Sequence, residues 1–236
     1  MTKTEQGIIS PPLYVILAEV AALWIVANTA YNFLFPVFGI GLSYNTAPIA
    51  FAMYFLLWAM VTRFNFRALF FALLPERSAI WKYGALSFVC ALVIWLLLFV
   101  FSHTQALQGP LLVPYSDILL ATPWYFLPKA AEIFMQQSLI AALVYALAVR
   151  FHSIKKIVFG YISTFGLAHV GMFFVGSPTP YATIMTIAAV ASSGIFPYLM
   201  LRVRGGFVLA YTIHLIFYVV LALVLHTWPP PDYIGT

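Results

Sequence analysis

Three side chains able to move protons stand inside long apolar stretches: Glu132, His169 and His214. His169 closes the run Ser163-Thr164-Phe165-Gly166-Leu167-Ala168-His169, and His214 follows Gly206-Phe207-Val208-Leu209-Ala210-Tyr211-Thr212-Ile213. A single histidine in such a run usually makes a helix–helix hydrogen bond. Two of them on different segments, with a carboxylate on a third, are the components of general acid–base chemistry or of a metal site. Lys129 lies three residues before Glu132 and Gln136 four after it, so a helix would gather all three on one face, with Lys129 and Glu132 able to pair. Glu19 is a further apolar-segment carboxylate, with Asn28 and Asn32 one turn apart beyond it. It reads either as a buried hydrogen-bonded group or as a proton or ion site, and the former is favoured.

The elements that must hold these residues are membrane helices. The chain is 64% hydrophobic and 7% charged with a mean hydropathy of +1.01, whereas soluble domains carry about a quarter charged residues. That composition excludes a water-soluble fold. Apolar stretches fall near residues 13–35, 46–61, 83–102, 118–149, 157–175, 181–201 and 206–228, each close to the roughly 20 residues that cross a bilayer. The expected fold is therefore all-α: one polytopic bundle spanning residues 1–236, with about seven transmembrane helices. Residues 68–81, interrupted by Pro75, Glu76 and Arg77, are too short to cross and read as one interfacial helix. Pro128 divides the long fourth stretch into a short approach and a helix expected to begin near Lys129, which would put Glu132 in its first turn, near the positive end of the helix dipole.

Ten of the eleven Lys and Arg residues lie at the amino-terminal end (Lys3) or in alternate loops: Arg63, Arg67, Arg77 and Lys82; Arg150, Lys155 and Lys156; Arg202 and Arg204. Basic residues are retained in the cytoplasm during insertion, so this alternation predicts an odd number of spans, a cytoplasmic amino terminus and an external carboxyl terminus. The net charge of +5 is scattered over these loops instead of being gathered on one polar face, so no nucleic-acid partner is expected. Residues 1–12 carry no cleavable targeting pattern, and the first span is expected to act as its own insertion signal. The lone Cys90 precludes an intramolecular disulfide and reads as a small buried hydrophobe.

Around these residues the chain resembles the CAAX-protease and bacteriocin-processing family of glutamic intramembrane endopeptidases, marked by E-E-x-x-x-R, F-x-x-x-H and H-x-x-x-N on successive helices. Phe165-x-x-x-His169 matches the second motif. The third keeps His214 and has Tyr218 in place of Asn. The first is met by Ala131-Glu132-Ile133-Phe134-Met135-Gln136, with one glutamate of two and Gln136 for Arg. A one-residue shift instead makes Glu132 the first glutamate and Gln137 the arginine equivalent. The resemblance covers about residues 118–228.

It implies that Glu132 and His169 activate a water for attack on a peptide carbonyl, with His214 and Tyr218 donating to the oxyanion and no cofactor required. The substrate would be a lipidated or membrane-spanning peptide, and the location a bacterial inner membrane. If Glu132 is instead the family's second glutamate, the water-activating carboxylate is missing. The fold would then serve without catalysis, as a subunit, assembly factor or binding factor in a membrane protein complex. A third reading makes Glu132, His169 and His214 the ligands of a metal such as zinc.

Overall fold

The computed structural model describes residues 12–29, 123–174 and 179–227, with isolated helical positions at 53, 56, 89, 92–94, 96 and 99. Among the described residues the regular structure is helical throughout. Helix α1 runs Leu13–Thr29, α2 Pro123–Arg150 and α3 Ile154–Tyr161. A π-helical segment, Ile162–Gly166, leads into α4 (Leu167–Val170) and a 3₁₀ turn (Gly171–Phe173), and α5 (Thr179–Arg202) and α6 (Gly206–Thr227) follow.

Four stretches are long and apolar enough to cross a membrane: Lys129–Arg150, Ile154–Phe173, Tyr181–Arg202 and Gly206–Leu223. They coincide with the last four expected spans. The expected spans near 46–61 and 83–102 and the interfacial helix at 68–81 lie outside the described residues, apart from those isolated helical positions. Of the first expected span, the structure describes the helical part through Thr29, with Glu19 half-buried.

α2 is the centre of the bundle, packing against α1, α3, α5 and α6. It is the most buried of the four crossing stretches, and this explains its composition. A helix surrounded by protein can carry polar groups that lipid would reject, provided neighbours satisfy them. Lys129, Glu132, Gln136, Gln137 and Ser138 are all buried in it. Around this stripe, Ile133 and Phe126 join a cluster with Leu215, Val219 and Ala222 of α6, while Ile140, Val144 and Leu147 pack with Ile157, Tyr161, Phe196 and Ala210.

Pro128 does not divide α2. The helix begins at Pro123 and continues through it. A proline near a helix start removes a single backbone bond, and interhelical contacts hold the site: Tyr211 donates its hydroxyl to the Ala130 carbonyl at 3.2 Å, and the Phe134 ring meets those of Phe207 and Tyr211 edge-on at 5.7 and 5.4 Å. Glu132 therefore lies beyond the first turn, where the dipole of its own helix contributes little, and a partner cation must stabilise it.

The two connections at residues 151–153 and 203–205 are short, so successive helices run antiparallel. The basic groups Arg150, Lys155, Lys156, Arg202 and Arg204 thus gather at one end of the bundle, all exposed. Gly205, at φ 73°, supplies the left-handed residue that lets α5 stop and α6 start.

Candidate functional site

The π-helical segment shapes the histidine-bearing stretch. The Leu167 amide donates to the Ile162 carbonyl five residues back, and Thr164 returns its hydroxyl to the carbonyls of Gly160 and Tyr161 at 2.9 and 3.2 Å. Such back-bonding competes with the regular ladder and bends helices, and π turns recur at functional positions. Tyr161, Phe165 and His169 then form an aromatic row along one face, with ring centroids 5.0 Å and 4.7 Å apart. His169 Nδ1 lies 2.9 Å from the Phe165 carbonyl oxygen. A carbonyl only accepts, so Nδ1 carries the hydrogen and Nε2 is the acceptor in the neutral ring.

His214, on α6, faces α2 and α5. Its Nδ1 lies 3.0 Å from Oε1 of Gln137, a residue wholly buried on α2. Its ring lies 5.8 Å from that of Phe196 on α5 and 5.4 Å from that of Tyr218 one turn along α6. The amide Nε2 of Gln137 has no protein partner among the described residues.

His169, His214 and Tyr218 all line one cavity of about 400 Å³ between the π/α4 stretch, α5 and α6, with Phe165, Met185, Ser192, Phe196 and several isoleucines completing its walls. The structure thus brings together three of the four residues expected from sequence. Ser192 and Phe196, from a helix that carries no recognisable motif, are wall residues that sequence did not indicate.

Glu132 is held elsewhere. Lys129 Nζ bonds both of its oxygens, at 3.1 and 3.0 Å, and Gln136 Nε2 donates to Oε1 at 2.8 Å. The face of Lys129, Glu132 and Gln136 expected from their spacing is therefore real, and it is turned inward. Glu132 is not among the residues lining the cavity. Tyr218 joins the two groups: Lys129 Nζ sits 4.5 Å from its ring centroid, a distance at which a cation gains from the ring quadrupole.

His214, expected from sequence as an oxyanion donor, has Nδ1 on the Gln137 amide and lies in the same cavity as His169. For the metal alternative, no group of three or more His, Cys, Asp or Glu side chains among the described residues could hold a metal ion, and both Glu132 oxygens are bonded by Lys129 on its own helix.

Comparison with known proteins found no matching family model, no matching curated protein and no matching solved structure.

Proposed function

We propose that this chain is a membrane-embedded binding protein on a CAAX-protease-like scaffold in which the peptidase chemistry has lapsed, acting as a binding factor or subunit within a membrane complex. The observation that carries this reading is the hydrogen bond from Gln136 to Glu132. In E-E-x-x-x-R the second glutamate and the arginine are four residues apart, and here the bonded pair has that spacing. Glu132 then takes the second position, and Ala131 stands where a water-activating carboxylate is required. Alanine can move no proton. Lys129 reinforces the point, since its ammonium occupies both oxygens of the one carboxylate that remains. What the site retains is an apolar cavity with a few polar groups, the usual form of a small-molecule pocket.

The endopeptidase remains a second reading, favoured by His169, whose Nε2 is available to a water in a cavity shared with His214 and Tyr218. In both readings the chain has seven spans in a bacterial inner membrane, its amino terminus cytoplasmic and its carboxyl terminus outside.

The deciding experiment reconstitutes the protein in liposomes with a lipidated peptide and compares wild type with Glu132→Gln and His169→Ala. We expect no cleavage above the variants' background. Cleavage that falls about 10²- to 10⁴-fold in both variants, the usual contribution of a general base, would overturn the binding reading.

A further inference from the structure

We infer that the cavity receives a long-chain alcohol from the bilayer, its hydroxyl bonded at the imidazole edges and its chain lying between α5 and α6; this rests on the binding-protein reading above. The hydrogen-bond polarity of the lining comes first. His169 directs Nδ1–H to the Phe165 carbonyl, and His214 directs Nδ1–H to Gln137 Oε1. In the neutral form each ring has then used its one N–H, which leaves Nε2 as an acceptor on two residues that line the cavity. Ser192, a third polar wall residue, donates its hydroxyl to the Ala189 carbonyl at 2.8 Å. Tyr218 supplies the fourth polar group.

A ligand head there must donate. Ionised carboxylates and phosphates present only lone pairs and would oppose the imidazole lone pairs. An ammonium could donate, but no carboxylate stands among the lining residues to pair with its charge. An alcohol is neutral, donates to Nε2 and can accept from the phenol. The chain is specified by the remaining lining, which is almost entirely hydrocarbon. About 400 Å³ lies toward the small end of ligand pockets and suits one chain better than two. At the rim, Ile187 and Ile195 are 64% and 45% exposed, so an apolar molecule can enter sideways from lipid without crossing a polar surface.

The test measures displacement of a fluorescent alkyl probe from the purified full-length protein by a 1-alkanol, an alkanoate and an n-alkane of equal chain length. We expect the alkanol to compete roughly five- to tenfold better than the other two, the value of about one hydrogen bond. His169→Phe with His214→Phe should abolish the alkanol's advantage over the alkane. An alkanoate that matches or exceeds the alkanol overturns the proposal, as does an alkane that equals it, although the latter leaves the binding reading standing. Failure of all three to displace the probe removes both. Should the double variant misfold, histidine ¹⁵N resonances of the wild type decide: alkanol must move Nε2 and leave Nδ1 protonated, and unmoved Nε2 signals overturn the assignment.

Discussion

Lys129 and Glu132 pose the sharpest energetic question at the scale of the residue. Two charges buried at 6% and 10% side-chain exposure have each lost most of their hydration, and their bidentate contact with the added amide of Gln136 offsets that loss. Removing one partner strands the other. Glu132→Gln leaves an ammonium at bilayer depth and should destabilise the protein by about 3–5 kcal/mol, as should Lys129→Met. The double variant, with no charge left to strand, should recover most of that difference. Thermal unfolding in detergent, arranged as a double-mutant cycle, measures it; single-variant losses below about 1 kcal/mol would show that the pair is hydrated and the buried-cluster account wrong. The same arithmetic explains what was legible. The Lys129, Glu132 and Gln136 face could be read from helical spacing alone, as could the isolation of His169 and His214 in apolar runs. That Gln137, one position further round α2, would hold His214 could not, because a contact across 77 positions of sequence leaves no periodic trace.

Individual elements show where local rules were sufficient and where packing prevailed. The ends of α5 and α6 follow the Gly205-Gly206 pair closely. A β-carbon on Gly206 would overlap the Leu199 carbonyl and lie 3.0 Å from the Met200 amide, all rigid backbone, whereas one on Gly160 would meet only the flexible tip of Leu147 at 3.1 Å. Gly206→Ala should therefore open the α5–α6 turn and cost several times what Gly160→Ala costs. Amide hydrogen exchange near Val203 and Gly206, whose backbone N–H groups bond the Leu199 and Val203 carbonyls, reports the difference, and equal protection in the two variants would refute it. Pro128 misled in the other direction, since its single missing backbone bond is outweighed by the contacts of α2 with its neighbours. The π segment left no usable signal. Gly160, Thr164 and Gly166 permit it, yet the same residues occur in ordinary helices.

For the whole molecule, composition and charge placement carried the reading, because the bilayer imposes rules that do not depend on detailed packing. Four helical stretches are long and apolar enough to cross a membrane, and Arg150, Lys155, Lys156, Arg202 and Arg204 gather at one end of the bundle. That end is expected to face the cytoplasm, since each Lys or Arg near a span resists translocation. A cysteine probe tests this directly once the native Cys90 is replaced by serine. Single cysteines at Lys156 and at Arg204, both exposed, should react with a membrane-impermeant maleimide in inside-out vesicles and stay unlabelled in intact cells. A cysteine at exposed Phe174, at the other end of the intervening helical stretch, should show the reverse. Labelling of Lys156 and Arg204 from opposite faces would mean that the two basic turns are not on one side. The antiparallel order of α2, α3, α5 and α6, on which the shared cavity of His169 and His214 depends, would then be lost.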